Sequence, residues 1–154
     1  MPKLILVDNE SSFLSTAKAH LENAGIQVDC CADVSLAYEA VKSSNAYFAA
    51  VVDISMNLGG AGIPKDLKPY RTRLGLKDDT PMAGLIIAQF IIEKRKTMRL
   101  GIISHTPALL DQYPLSFDGA KPYEVFRKYD EGVMASLSRF AQSALDKLPG
   151  PGDY

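Results

Sequence analysis

Apolar residues in this chain gather in short uninterrupted runs that end on polar groups. Leu4-Ile5-Leu6-Val7 leads into Asp8, Tyr47-Phe48-Ala49-Ala50-Val51-Val52 into Asp53, and Leu100-Gly101-Ile102-Ile103 into Ser104. Continuous runs of this length predict strands covered on both faces, over residues 3–8, 47–53 and 99–104. Two other segments are mixed. In residues 26–30, Ile26, Val28 and Cys30 alternate with Gln27 and Asp29; in 123–128, Tyr123, Val125 and Phe126 are interspersed with Glu124, Arg127 and Lys128. These predict strands with one face toward solvent. Helical spacing fills the gaps. Residues 10–24 carry Phe13, Leu14, Ala17 and Leu21 on one face and stop at Gly25; residues 34–43 follow Asp33 as an N-cap. A third helix is expected from Pro81, with Thr80 as its N-cap, to about Lys96. A last one is expected over 130–147, with Val133, Leu137, Phe140, Ala141 and Ala144 in phase. Between Thr106 and Pro122 the prolines and Gly119 leave room for a short helix at most.

Alternation of strand and helix predicts an α/β fold of three layers, a five-stranded parallel sheet with helices on both faces. The mixed strands belong at the edges and the apolar runs in the centre. The order 2-1-3-4-5 satisfies this with right-handed crossovers. It brings the ends of the first and third strands together, and with them Asp8 and Asp53. The 154 residues fit one domain, over 1–148, with a long insertion at 57–80 and a flexible tail at 149–154.

Composition narrows the functional classes. The net charge is −1, so no general field recruits nucleic acid or an anionic membrane. No apolar stretch approaches the length of a membrane span, and no signal-peptide pattern opens the chain, so a cytoplasmic location is expected. Cys30 and Cys31, the only cysteines, are too few for a zinc site and too close to bridge readily; one is expected to be buried, the other a partly exposed thiol.

Candidate chemistry lies at the C-terminal strand ends: Asp8 with Asn9, Asp53, Ser104 and Lys128. Each residue alone is ordinarily a turn former or a solvated side chain. Together and in this order they suggest more. Two carboxylates can supply oxygen ligands to Mg²⁺, while an ammonium and a hydroxyl can compensate a phosphoryl group.

At these residues the chain resembles the receiver domains of two-component response regulators, the family of the chemotaxis response regulator. Leu6-Val7-Asp8-Asn9-Glu10 is similar to the family's acidic pocket, and Val51-Val52-Asp53 to its phosphoacceptor strand. Ile102-Ile103-Ser104 is similar to its Thr/Ser strand and Phe126-Arg127-Lys128 to its Lys strand. The resemblance implies a flavodoxin-like receiver fold. It implies that Asp53 accepts a phosphoryl group from a histidine kinase or phosphotransfer protein, with Lys128 and Ser104 contacting that group. Mg²⁺ would be held by Asp8, Asn9, Asp53 and the backbone carbonyl of Ser55. Such a protein is a stand-alone signalling module and not a turnover enzyme. It would act on a downstream protein target, with a homodimer as one arrangement and no nucleic-acid or membrane partner.

The chain departs from the family pattern in four places. Asn9 replaces a second acid, Tyr129 the proline after the Lys, Val125 the switch aromatic, and His105 a small residue. A non-proline cis bond costs ~2.5–4 kcal/mol, so the turn at Tyr129 is expected to be trans or strained. These changes support an alternative reading, an unphosphorylated pseudo-receiver that serves as a protein-binding adaptor. A haloacid-dehalogenase-like phosphohydrolase would need an acid two residues after Asp53, where Ser55 stands. His105 is expected to be a solvated loop residue, with a cover over the phosphoryl site or a group titrating near neutral pH as the other reading, and His20 a surface residue. The insertion interleaves Lys65, Lys68, Arg71, Arg73 and Lys77 with Leu67, Tyr70, Leu74 and Leu76. It is expected to be either a lid or partner surface or a solvated loop anchored by a few hydrophobes, with Gly59, Gly60 and Gly62 as a flexible base.

Overall fold

The computed structural model describes residues 2–59 and 62–148. Gly60 and the 149–154 tail expected to be flexible lie outside the described residues. Five parallel strands form one sheet: β1 (Lys3–Val7), β2 (Gln27–Cys31), β3 (Tyr47–Asp53), β4 (Arg99–Ser104) and β5 (Tyr123–Arg127), in the order β2-β1-β3-β4-β5. The order and its central strands are as expected from their hydropathy.

Side chains alternate across a strand, so each apolar run feeds two cores. Leu4, Leu6, Ala49, Val51 and Ile103 face α1 (Ser11–Asn23) and α6 (Val133–Asp146), where Phe13, Ala17, Leu21, Leu137 and Phe140 meet them. Ile5, Val7, Ala50, Val52, Leu100 and Ile102 face α2 (Val34–Lys42) and α4 (Gly84–Lys94). The edge strands are only partly covered. Cys30, expected to point inward with Val28, is exposed at that edge; Cys31 is half-buried, and both thiols are free.

Local chemistry sets the helix ends. Asp33 caps α2 as expected, its Oδ1 accepting from the Leu36 amide at 2.8 Å. The third helix does not begin at Pro81. Thr80 Oγ1 accepts from the Met82 amide at 3.0 Å, closing a side-chain turn, and the Ala83 amide donates to Met56 O at 2.8 Å. Residues 81–83 are thereby tied to the segment after β3, and α4 starts at Gly84. The last helix also starts late, at Val133, because Gly132 is left-handed at φ 78°.

The insertion is anchored by a few hydrophobes, as one of its two readings expects, but it is helical in part. A 3₁₀ turn (Lys65–Leu67) runs into α3 (Lys68–Leu74), with Leu67, Tyr70 and Leu76 buried in the α2–α4 core. Tyr70 meets Phe90 edge-on at 5.9 Å, and Tyr38 OH donates to Asp66 at 2.8 Å. Arg73 forks onto Glu93 of α4 at 2.9 and 3.1 Å. A seven-residue helix is marginal alone; this one is held by its packing. The connection 106–122 contains only the four-residue α5 (Leu109–Gln112). Among the described residues no helix is long and apolar enough to cross a membrane.

Candidate functional site

The sheet brings three charged groups to one point. Asp8 follows β1, Asp53 ends β3, and Lys128 follows β5 with its amide donating to Ser104 O at 2.8 Å. Lys128 Nζ lies 2.7 Å from Asp8 Oδ2 and 2.9 Å from Asp53 Oδ2. The Lys128 side chain is 0% exposed and both carboxylates 2%. Each carboxylate is oriented by a backbone bond. Asp8 Oδ1 accepts from the Glu10 amide at 2.8 Å, and Asp53 Oδ1 accepts from the Ser55 amide at 2.9 Å. The Phe13 ring of α1 lies beneath Nζ, 4.8 Å away, and adds a cation–π contact.

Burial and charge pull against each other here. Burial disfavours the Lys128 ammonium, but its contacts with the Asp8, Glu10 and Asp53 carboxylates outweigh it and hold the pKa above the ordinary lysine value. Burial raises the Asp8 pKa, and the Asp53 charge adds to this against the opposing pull of Lys128 and the Glu10 amide. Asp8 Oδ2 contacts the ammonium as an ion pair yet receives no aligned hydrogen bond. An under-satisfied anionic oxygen in a buried position suits a cation.

Ser104 is fully buried at the end of β4, and its Oγ accepts from the Thr106 amide at 2.9 Å. No side-chain hydrogen bond among the described residues joins it to Asp8, Asp53 or Lys128; it lies one register position beyond Ile103, the partner of Asp53. Asn9 is exposed on the turn after β1, and Ser55 is half-buried on the turn after β3. Val125 is 43% exposed with no aromatic role, while Phe126 packs on Phe140 at 5.7 Å. His20 is exposed on α1.

Glu10, part of the acidic-pocket resemblance but given no role of its own there, belongs to this site. Its Oε1 accepts from Lys128 Nζ at 2.9 Å and pairs with His105 Nε2 at 3.0 Å. Tyr129 OH donates to its other oxygen. These partners, Tyr129 first, then Lys128 and His105, pull the Glu10 pKa down to about 2. The bond to Glu10 in turn raises the Tyr129 pKa. The Lys128–Tyr129 bond is trans, as all the described peptide bonds are, and Tyr129 takes up the turn at φ 65°. A left-handed tyrosine is strained, and its ring rests edge-on against Phe13 at 5.7 Å. The sequence signal for Glu10 was its place, two residues past Asp8 on the same strand-end turn.

Among solved structures the chain resembles a response-regulator receiver protein from Sinorhizobium medicae, with 19% identity, a TM-score of 0.63 and 95% of each chain covered. A CheY-like receiver domain from Methanospirillum hungatei has 13% identity and a TM-score of 0.64, over 96% of this chain and 99% of that one. The response regulator TrrA from Thermotoga maritima, solved in complex with Mg²⁺ and beryllofluoride, has 18% identity and a TM-score of 0.59, over 91% and 99%. No protein-family model and no curated protein matches the chain. With its strand order and flanking helices, the chain has the fold of response-regulator receiver domains.

Proposed function

We propose that the protein is a phosphoacceptor signalling domain, with Asp53 as the acceptor and a histidine kinase or phosphotransfer protein as donor. The bridge Asp8–Lys128–Asp53 supports this reading most. It joins two buried carboxylates to one buried ammonium at the strand edge where open α/β sheets place their sites. An Asp53 oxygen attacks the phosphorus of a phosphohistidine. The P–N bond breaks with its electron pair leaving on the imidazole, which takes a proton from solvent, and an acyl phosphate forms. Lys128 balances the charge that collects on the phosphoryl oxygens. Ser104 is the hydroxyl nearest by strand register and serves as a donor once its side chain turns from the Thr106 amide. The output passes to a partner protein through surface contacts, not through turnover of a substrate.

Mg²⁺ fits the donor set. Asp8 and Asp53 would be its carboxylate ligands, with Asn9 and the Ser55 carbonyl as further oxygen donors, and the ion would supply positive charge to offset that of a phosphoryl group. Among the described residues no three His, Cys, Asp or Glu side chains converge to hold a metal. The ion would therefore depend on Asp8 and Asp53, with the amide Asn9 where a further acid would add charge. Asn9→Asp is expected to tighten Mg²⁺ binding about tenfold, the order of effect of one added charge near the cation under surface-like screening. A titration of Mg²⁺ against the two proteins measures this, and equal affinities would refute it.

Incubation with acetyl phosphate and Mg²⁺ followed by intact-mass measurement tests the main reading. One phosphoryl adduct is expected in the wild type and none in Asp53→Ala. An adduct retained in Asp53→Ala would assign the chemistry elsewhere. The adaptor reading is favoured by one specific feature, the Glu10 carboxylate already bonded to Lys128; no adduct on any form of the protein, including Asn9→Asp, would select it.

A further inference from the structure

Three carboxylate oxygens surround the Lys128 ammonium at 2.7, 2.9 and 2.9 Å; Glu10 and Asp53 accept hydrogen bonds from it, and Asp8 adds an ion pair. With three anionic oxygens this close to Nζ, an incoming anion reaches it by displacing one of them. Asp8 and Asp53 cannot leave readily. Both are buried, and each is tied to a backbone amide. Glu10 differs in every respect. Its side chain is 37% exposed, and its other partners, His105 and Tyr129, are exposed side chains at the rim. Rotation of Glu10 outward empties one position on Nζ while leaving the buried bridge intact.

We infer that Glu10 is the gate of the anion position at Lys128, a carboxylate latched by Tyr129 and His105 where an incoming phosphoryl oxygen would bond. The latch is built from two of the positions at which the chain departs from the receiver pattern. His105 follows the hydroxyl strand, and Tyr129 follows the lysine; their rings approach to 5.2 Å between centroids and both reach Glu10. Tyr129 holds its left-handed backbone while its hydroxyl binds the gate and its ring rests on Phe13. The gate acts in two ways. It holds one N–H of Lys128, and its charge raises the negative potential that an approaching dianion must cross. Glu10 is thus a positioning residue. It sets when Lys128 is free to bind an anion, and it takes no part in bond formation.

The inference rests on the phosphoacceptor reading for the identity of the anion, and two readouts separate them. Binding of beryllofluoride with Mg²⁺, followed by fluorine NMR on the full chain, reports the anion position. Intact mass after acetyl phosphate reports phosphorylation. Glu10→Gln keeps the size of the side chain and removes its charge. Tyr129→Phe keeps the ring and removes the latch bond. Beryllofluoride affinity is expected to rise about tenfold in Glu10→Gln, the scale of one nearby charge, and by a smaller factor in Tyr129→Phe. Phosphorylation rates are expected to rise in the same order. If the wild type is phosphorylated and neither variant changes rate or affinity, the gate is overturned and the acceptor reading stands. If the variants bind beryllofluoride more tightly but no protein forms an adduct, the gate stands and the acceptor reading fails. No binding and no adduct in any of the three overturns both.

Discussion

Lys128→Met is expected to lower stability by about 3–5 kcal/mol at neutral pH, because it leaves buried carboxylates without their counter-charge. Methionine replaces the stem of the lysine and maintains the contact with Phe13, so lost packing contributes little. The loss is electrostatic. Asp8 and Asp53 would face each other in a buried site with no cation between them. The pH dependence follows from the direction of the shift. The Asp8 pKa is already above its ordinary value in the folded protein. Without Lys128 it rises further. Between the unfolded value and the raised folded value the native state binds more protons than the unfolded chain, so stability increases as pH falls through that window. The deficit of the variant is therefore largest near neutral pH and shrinks as pH falls toward the ordinary carboxylate range. Urea unfolding at a series of pH values measures this. A variant as stable as the wild type at neutral pH, with the same pH profile, would refute the account. Removing a single carboxylate has a different consequence. Asp8→Asn still leaves Lys128 bonded to Asp53 and Glu10, so the ammonium stays paired. The site has three carboxylates to one ammonium, and its stability is limited by the cation.

The asymmetry also explains what was legible in the chain. Strand order could be read from hydropathy because burial on one or two faces leaves a direct trace in residue type. Once the order was known, adjacent strand ends had to bring Asp8 beside Asp53, and the end of β5 to deliver Lys128. Backbone geometry and charge carried that inference without any single strong motif. Glu10 was not legible in the same way. It sits at the N-terminal edge of α1, where an acid ordinarily serves the helix dipole. Here its side chain turns instead to Lys128, Tyr129 and His105, contacts that come from residues more than ninety positions away. The insertion carried a readable trace that its length obscured. Leu67, Tyr70 and Leu74 recur at helical spacing, and Gly75 closes the turn at φ 72°. A pattern of seven residues predicts no stable helix by itself, and only packing against Phe90 and Glu93 of α4 supplies the rest. The start of α4 was misread for a related reason. Thr80-Pro81 has the form of a helix opening, yet the Ala83 amide is claimed by Met56 and the helix is delayed.

That delay gives Gly84 its importance, and Gly84→Ala is expected to destabilise the protein although it replaces glycine by the best helix former. In an open helix position the change would gain about 1 kcal/mol. At Gly84 the added Cβ would stand 1.9 Å from Asp53 O, 2.7 Å from Ile54 Cα and 2.8 Å from Asp53 C. All three are backbone atoms of the segment that leaves β3, so no side chain can rotate away. The first turn of α4 must move off the sheet or the end of β3 must shift, and overpacking of this kind costs roughly 1–3 kcal/mol, occasionally more. The gain in helix propensity is smaller than that loss. Position matters beyond stability, since the atom in collision belongs to Asp53 itself. Its carboxylate is aimed by the Ser55 amide two residues further on, and a displaced backbone carries both groups with it. Gly25→Ala provides the comparison. Gly25 is left-handed at φ 87° with nothing within 4 Å of an added Cβ, so its substitution costs about 1–2 kcal/mol through the backbone alone. Both variants are expected to melt below the wild type. Only Gly84→Ala is also expected to weaken Mg²⁺ binding and slow phosphorylation by acetyl phosphate, because only there does the strain act on Asp53, the proposed acceptor. Equal effects of the two variants on the site, or a Gly84→Ala protein more stable than the wild type, would show that α4 can yield at its first turn without disturbing β3.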